Sequence, residues 1–416
     1  MSRRTVIAGW GYVGASGAGA DAARAVFERG ELPLTEVDRS GGYHRDVPAG
    51  RGSRHAALVP KDAFDGLIPP RKLRRMSPPS RFAVAATKQA TAPWVEGGGD
   101  GESPEEPPPS TAVVSSTGFG PSSYTEELLR QIFLDQPTSA SPFLFTEAVA
   151  NAPAAQAALE MKATGPNITI TQREVGPILA MGRARRLLGL GRVDRALVVA
   201  VDEVNPLLHA ALDRFGALAG SRGGDEIARP FDRRRRGPVL AEGAAAVALE
   251  SESEARRRGV KGPLWCLRAH VGGFDPSAPM TGWGRQPDAV AAAVRDELAR
   301  QGVGLGEIDA VVCGAAGSVG GDRAEAEVLR ALFPDAMPPV VAPKALDGEH
   351  GGALLAGAMW LLEGGRFRSP RGFGEADPDC GVVPFGDGAL DPRRVLVGAL
   401  AVGGAAAWMM LERIKD

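Results

Sequence analysis

Short apolar runs rich in Val, Ile and Ala recur along the chain and alternate with longer stretches of helical periodicity. Near-continuous apolar runs are typical of strands buried on both faces of a sheet. The predicted strands are TVIAG, AVVSS, NITIT, ALVVAVDE, AAAVALES, DAVVCGAAG, PVVAP and RVLVGALAV. The predicted helices include RFAVAATKQAT, AVANAPAAQAALEMKA and AVAAAVRDELARQG. This alternation predicts an α/β fold with largely parallel sheets.

One strand–break–helix unit occurs twice. In the first half, a strand over Ile168–Thr171 leads through a break into a helix predicted over Gly176–Leu188. In the second half, PVVAPKALDGEHGGALLAGAMWLLEGG repeats this order. Small residues that would let the two helices pack closely are Ala180, Gly182, Ala353, Ala356 and Gly357. We predict two copies of one layered unit, over residues 1–252 and 253–416, rather than two independent cores.

Two segments raise questions of exposure and membrane insertion. Residues 96–110, EGGGDGESPEEPPPS, contain no large apolar residue, which predicts a flexible surface insertion. The uncharged stretch Val395–Leu411 is shorter than the roughly 20 residues that a bilayer requires, so a buried strand pair is favoured over a membrane span. The apolar run near the N-terminus is too short for a signal peptide. We expect a cytoplasmic protein.

Charge and cysteine content narrow the function classes. The formal net charge is −2 and no basic stripe with interleaved aromatics occurs, which argues against nucleic-acid binding. The basic run Asp232–Gly237 is interpreted as a solvated hairpin or a carrier-docking patch. Three widely spaced cysteines indicate a reducing compartment and neither a disulfide framework nor a metal site; they are Cys266, Cys313 and Cys380.

The segment Gly9–Gly14, GWGYVG, matches the dinucleotide-binding pattern G-x-G-x-x-G after a predicted strand. In that pattern a helix N-terminus receives phosphate, and an acidic residue follows about 20 positions later at the end of a second strand. No clear second strand is present there. Nucleotide binding is therefore one hypothesis, and close packing of the glycines is the other.

The break between the repeated strand and helix carries an adjacent pair of opposite charges, Arg173 and Glu174. A strand-to-helix elbow is where α/β enzymes commonly display a nucleophile. Neither side chain is a usual nucleophile at such an elbow. Either the chemistry is unusual or it has been lost.

Five segments, in order and over nearly the whole chain, resemble the β-ketoacyl synthase family. Residues 141–171 resemble the run into the family's cysteine elbow, and residues 228–251, with ARPFDRRRRG, resemble its Pro-Phe-Asp signature. AAGSVGGDRAEAEVL is similar to the His-Gly-Thr loop, PKALDGEHGGALLAG to the Lys-x-x-x-Gly-His segment, and ALAVGGAAAWMML to the C-terminal gate. The resemblance implies a thiolase-like fold, a duplicated five-layered α/β/α/β/α core that is usually dimeric.

The family's chemistry uses a cysteine at a helix N-terminus and two histidines that assist malonyl decarboxylation. By the resemblance, these three positions are Glu174, Ala316 and Glu349. Lys344 alone is retained among the expected site residues. The gating phenylalanine and the Thr-Asn pair are replaced by Val402, Ala405 and Ala406. The resemblance implies no cofactor and no metal.

Several interpretations of Glu174 remain open. It is a structural plug paired with Arg173 or another cation, or it forms an acid/base pair with Glu349, or the alignment is displaced. His350 supplies the missing histidine only if one residue is inserted. A carboxylate attacking a thioester would form a high-energy mixed anhydride, which argues against condensation. The other histidines, interpreted as surface or core residues, are His44, His55, His209 and His270.

The resemblance favours a non-condensing subunit like the chain-length factors of type II polyketide or fatty-acid-like biosynthesis. Its expected partners are an intact ketosynthase, in a heterodimer, and an acyl carrier protein; a homodimer is the alternative. The segment Phe119–Phe145 resembles the stretch where family subunits meet, and Phe143–Phe145 are interpreted as tunnel walls or plugs, or as ordinary core. The alternative function is an acyl-thioester decarboxylase, hydrolase or acyltransferase that uses Glu174 and Glu349.

Overall fold

The computed structural model describes residues 4–44, 47, 51–96 and 109–414. The strands are β1 (Thr5–Gly14), β2 (Gly17–Ala18), β3 (Thr35–Glu36), β4 (His55–Ala56), β5 (Thr111–Thr117), β6 (Asn167–Thr171), β7 (Arg195–Asp202), β8 (Gly243–Ser251), β9 (Leu264–Phe274), β10 (Ala310–Cys313), β11 (Val340–Val341), β12 (Arg366–Phe367), β13 (Gly388–Ala389), β14 (Arg394–Leu400) and β15 (Ala405–Ile414). The α-helices are α1 (Ala20–Phe27), α2 (Pro70–Leu73), α3 (Pro78–Glu96), α4 (Ser122–Arg130), α5 (Pro142–Glu147), α6 (Ala152–Met161), α7 (Gly176–Gly189), α8 (Pro206–Arg214), α9 (Glu252–Arg257), α10 (Pro287–Arg300), α11 (Val319–Leu332), α12 (Lys344–Asp347) and α13 (Gly351–Leu362).

The main strands repeat one order twice. The first set runs β6–β5–β7–β8–β1 and the second runs β11–β10–β14–β15–β9. In both sets the first three strands are parallel and the last two pair antiparallel. The two sets meet through one residue pair, Val6 and Cys266. The internal repeat predicted from the sequence is therefore visible as a repeated topology, whereas the boundary at residues 252 and 253 stays a prediction.

The two strand sets enclose a central helical layer. Helices α7 and α13 pack against each other and against strands of both sets, while α3 and α6 cover the outer face of the first set and α10 and α11 that of the second. Side chains alternate accordingly. Val114 and Val198 face the central cluster, and their neighbours Val113 and Val199 face the outer helices. Period-2 alternation between two buried faces explains why these strands read as continuous apolar runs.

The expectation of largely parallel sheets is wrong. Antiparallel pairs occupy the middle of the sheet, because β8 lies between β1 and β7 and β15 lies between β9 and β14. These strands are also covered on both faces, so continuous apolarity does not distinguish them from parallel ones. The long strand β9 was not predicted, because LWCLRAHVGGF carries an arginine and a histidine. The predicted C-terminal strand pair is confirmed as β14 and β15.

Two other expectations concern exposure. The predicted insertion at residues 96–110 lies largely outside the described residues. Over the described part of the chain, every helix is too short or too polar to cross a bilayer. Asp232 is buried and its carboxylate accepts hydrogen bonds from the backbone of Arg234, Gly374 and Glu375. The basic run is therefore a loop anchored by Asp232, and its residues Arg233, Arg234 and Arg236 are exposed to solvent.

The G-x-G-x-x-G segment does not form a phosphate-binding turn. Gly9 through Gly14 all lie inside β1, so the strand continues where a dinucleotide fold would turn into a helix. A Cβ on Gly11 would lie 2.1 Å from the backbone oxygen of Ala86, and one on Gly9 would lie 2.5 Å from that of Ala90. These glycines allow α3 to approach the strand closely. The nucleotide hypothesis is therefore wrong.

We predict that Gly11→Ala lowers the free energy of unfolding by about 2 kcal/mol, because the helix backbone must move away from β1. The control is Gly189→Ala, since a Cβ at that helical glycine meets nothing within 4 Å. Urea unfolding of both variants measures the difference. Equal stability of the two variants would contradict the close-packing explanation.

Candidate functional site

The elbow charges lie where two chain segments meet at the central layer. Arg173 and Glu174 occupy the break between the end of β6 and the start of α7. Lys344 begins the short helix α12, and Glu349 follows that helix just before α13. Since α7 and α13 pack side by side, their preceding loops come together. The structure thus brings together four of the residues that the resemblance singled out.

The four side chains form an alternating series of charges. The Arg173 guanidinium donates a hydrogen bond of 3.0 Å to Glu174, and its Nε lies 3.6 Å from Glu349 Oε1. Lys344 Nζ donates to the same Glu349 oxygen at 2.9 Å. Glu349 and Lys344 are almost fully buried. Charges removed from water are tolerated only when paired, and this series pairs each carboxylate with a cation.

The series keeps Glu174 ionised. Burial raises the pKa of Glu174, but the positive charges of Arg173 and Lys344 outweigh burial and hold that pKa below its usual value. Burial lowers the pKa of Arg173, but the negative charges of Glu174 and, less strongly, Glu349 outweigh burial and raise that pKa above its usual value. Convergent carboxylates have pKa values pushed apart unless a cation separates them. Here Arg173 lies between them, so Glu174 is a paired anion and a poor general base.

A cavity of about 760 Å³ lies beside this series. Its lining includes six residues that the sequence singled out: Arg173, Glu174, Ala316, Lys344, Glu349 and Val402. The other three, His350, Ala405 and Ala406, are not among its described lining residues. Arg222 and Arg236 also line it. Glu174 is therefore paired with Arg173, as the plug interpretation expected, but the ion pairs line one side of the cavity and do not fill it.

One stretch of the cavity lining carries no polar side chain. Gly314, Ala315 and Ala316 are consecutive residues of that stretch. Ala316, which stands at the family's first histidine position by the resemblance, supplies no imidazole. No cysteine or histidine is among the described residues that line the cavity. Cys313 is close in sequence but packs in the outer core, where burial raises the pKa of its thiol well above the usual value.

His350 lies outside the cavity, so the interpretation that it supplies the missing histidine is wrong. Its ring is fully buried: Nδ1 accepts a hydrogen bond from the backbone of Gly352, and Nε2 lies 3.0 Å from Asp347 Oδ2. Tyr12 donates its hydroxyl to the other oxygen of that aspartate. Residue 350 is extended, and successive side chains of extended backbone point to opposite sides. Glu349 therefore faces the cavity and His350 the core, where it caps α13.

Three buried carboxyls of the site were not predicted. Asp322 and Glu325 lie one turn apart on α11 and line the cavity. Glu325 accepts a backbone hydrogen bond from Gly314, and Asp322 accepts them from Phe231, Ala316 and Gly317. Asp202 at the end of β7 accepts hydrogen bonds from the backbone of Gly118 and Gly351. The spacing of Asp322 and Glu325 on a helix was a signal in the sequence. Asp202 carried none, since its partners come from distant segments.

Glu325 gives the site a pH dependence. Burial raises its pKa from 4.5 to about 8, so folding favours the protonated form. Burial of the protonated Glu325 carboxyl therefore contributes its full stability below pH 4.5, and this contribution is lost as the pH rises through 8. The free energy of unfolding of the wild type, relative to that of Glu325→Gln, should fall between pH 5 and 9. Urea unfolding at several pH values measures it, and a pH-independent difference would show that Glu325 is not protonated in the fold.

The other sequence-derived candidates lie apart from the cavity. The rings of His44 and His209 are buried and their nitrogens lie 3.1 Å apart, and His55 pairs with Glu226. The exposed fractions of Phe143 and Phe145 are 37% and 65%, so their interpretation as core is wrong, and neither lines the cavity. Within the described residues, no group of three or more His, Cys, Asp or Glu side chains is placed to hold a metal ion.

Comparisons with known proteins agree with this geometry. The family model for the β-ketoacyl synthase N-terminal domain matches residues 3–255. The tetracenomycin polyketide synthase ketoacyl synthase beta subunit of Streptomyces glaucescens is 32% identical over 201 residues, 48% of each chain. The solved ishigamide ketosynthase/chain length factor aligns over 100% of both chains, with a TM-score of 0.83 and 25% identity.

A second solved structure is similar in fold. It contains a type II polyketide synthase acyl carrier protein in complex with its ketosynthase bound to the hexaketide. The alignment covers 100% of both chains with a TM-score of 0.83 and 18% identity. Together with the repeated topology, these neighbours confirm the predicted thiolase-like α/β fold.

Proposed function

Because this chain belongs to the β-ketoacyl synthase family, we propose that it is a non-condensing partner subunit of a type II polyketide or fatty-acid-like synthase, similar to a chain-length factor. One observation carries the proposal. The cavity at the family's catalytic positions is lined by Glu174, Ala316 and Glu349 and lacks a thiol and an imidazole among its described lining residues.

The chemistry of these residues supports a subunit without condensing activity. Condensation needs a thiolate that accepts the acyl group and donors that stabilise the enolate of the decarboxylated extender. Glu174 is held as an anion by Arg173, and its attack on a thioester would give a mixed anhydride. Glu349 stands where the family has its second histidine. A carboxylate at this position would repel the negative charge that develops on the enolate oxygen and so would destabilise the enolate. Each substitution opposes the reaction that the family performs.

An exposed apolar face supports the partner role. Large apolar side chains of the segment Phe119–Phe145 are unusually exposed: Phe119 by 51%, Phe133 by 77%, Leu134 by 72% and Phe145 by 65%. Contiguous exposed apolar residues of this kind mark protein interfaces. The outer edge of strand β6 is also unpaired among the described residues. We propose that an intact ketosynthase covers this face; a homodimer would use the same one.

The face and the cavity are connected. The guanidinium carbon of Arg173 lies 5.8 Å from the centre of the Phe119 ring, so one arginine contacts both the charge series and the apolar face. A Cβ on Gly118 would lie 2.9 Å from the Arg173 side chain. A subunit covering Phe119 would therefore lie next to the cavity, as a role in shaping a shared acyl tunnel requires.

The acyl carrier protein is the second proposed partner. The related ketosynthase structure contains a bound acyl carrier protein. Arg222 and Arg236 line the cavity here and are exposed, which suits an acidic carrier approaching its mouth. A cytoplasmic location and the division into halves at residue 252 are part of the same proposal.

Co-expression with an intact ketosynthase from the same biosynthetic system tests the partner role. Size-exclusion chromatography with light scattering should give a complex of one copy of each chain. The same measurement on this chain expressed alone provides the control. A stable homodimer that does not bind the co-expressed ketosynthase would overturn the proposal. It would favour the alternative, an acyl-thioester enzyme acting through Glu174 and Glu349.

A further inference from the structure

A second cavity of about 330 Å³ lies on the other side of α12. Lys344, the first residue of α12, lines the first cavity, whereas Ala345 and Leu346 line the second. No residue is shared between the two linings. The second cavity is therefore a separate site, divided from the first by one helical turn.

The floor of this second cavity is apolar. Its apolar side chains come from three separate segments: Leu32 and Leu34 after α1, Ile227 and Val239 from the loop between α8 and β8, and Leu346 of α12. Ligand pockets of small molecules are typically lined by apolar side chains with a few polar groups, over volumes of about 300–1,000 Å³. The cavity lies at the lower end of that range, which fits an alkyl chain of medium length.

Three guanidinium groups, Arg29, Arg368 and Arg371, line the same cavity. Arg29 donates two hydrogen bonds to Glu31, at 2.8 and 3.1 Å, and Arg368 lies 3.5 Å from Asp387. Arg371 is exposed and has no hydrogen bond or ion pair with any described residue. One cation of the lining is thus left without an anion.

The acidic side chains of the lining do not neutralise Arg371. Glu226 accepts hydrogen bonds from Ser53 Oγ and from the backbone of Arg54 and His55, at 2.8–3.0 Å. Asp387 accepts a hydrogen bond of 2.6 Å from Ser369 Oγ. Both carboxylates are held by groups outside the apolar floor. The cavity therefore combines an apolar floor with an unpaired guanidinium.

We propose that this cavity binds a medium-chain carboxylate, with the alkyl chain on the apolar floor and the carboxylate on Arg371. A guanidinium pairs with a carboxylate through two parallel N–H···O hydrogen bonds, which selects a free acid over an alcohol or an amine. The site is independent of the proposed partner role, because it uses none of the residues on which that role rests.

Calorimetric titration of the full chain with octanoate tests the site. Octanoate should bind with one-to-one stoichiometry, at least tenfold more tightly than octan-1-ol or octylammonium. Arg371→Ala should weaken octanoate binding at least tenfold, and Ile227→Trp, which fills the floor, should abolish it. Arg393→Ala, an exposed arginine outside the lining, should leave it unchanged.

Two results would overturn the proposal. Equal binding of octanoate and octan-1-ol would show that charge is not recognised, and unchanged octanoate binding by Ile227→Trp would place the ligand elsewhere. Because Arg371 is exposed, its alanine variant should unfold at the same urea concentration as the wild type. Absence of saturable octanoate binding by the wild type would also contradict it.

Discussion

Replacement of Arg173 by methionine should lower the free energy of unfolding by about 3 kcal/mol, because Glu174 is left without its direct partner. Removing one member of a buried ion pair costs roughly 3–5 kcal/mol, since the remaining charge stays desolvated. Glu349 retains Lys344, and the Arg173 and Glu174 side chains are partly exposed, so the expected loss is at the lower end. Urea unfolding of the purified chain measures it.

The same experiment includes a rescue and a control. The double variant Arg173→Met/Glu174→Gln should regain most of the loss, because a neutral amide replaces the unpaired carboxylate. Arg183→Met, on the exposed face of α7, should change stability by less than about 0.5 kcal/mol. If Arg173→Met were as stable as Arg183→Met, the charge series would not be a structural element of the cavity.

Replacement of Phe133 or Phe145 by glutamate should weaken the complex with the intact ketosynthase at least 100-fold, about 2.7 kcal/mol. Buried aromatic anchors dominate binding energy, and a charge in the same place must be desolvated. Both side chains are exposed in the free chain, so the variants should unfold at the same urea concentration as the wild type. Biolayer interferometry against immobilised ketosynthase measures the dissociation constant.

A matched control separates this face from general surface effects. Val383 is 66% exposed and lies outside the segment Phe119–Phe145, so Val383→Glu should bind like the wild type. Loss of binding with Val383→Glu alone would place the interface elsewhere on the chain.

The fold was largely predictable because the strands are local patterns. The repeated strand–break–helix unit placed β6 and α7, and the glycine- and alanine-rich segment placed α13, within a few residues of their observed bounds. Strand direction was not predictable in the same way. Antiparallel strands such as β8 and β15 are buried on both faces here and have the composition of parallel ones.

The site was predictable in position but not in contacts. The resemblance assigned Glu174, Lys344 and Glu349 to site positions, and these residues do line one cavity. That Arg173 reaches Glu349, which lies in the other half of the chain, depends on how α7 and α13 pack. His350 points into the core because it lies on extended backbone directly after Glu349, and neighbouring side chains there point to opposite sides. Sequence comparison does not reveal which of the two faces the cavity.

Thioester turnover is the most direct test of a non-condensing role. Malonyl- and acyl-carrier thioesters are incubated with three samples. The first is this chain alone, the second is its complex with the intact ketosynthase, and the third is the same complex in which this chain carries Glu174→Gln. We predict no turnover by this chain alone, condensation by the pair, and the same condensation rate when the pair carries Glu174→Gln. Turnover by this chain alone that Glu174→Gln abolishes would contradict the account.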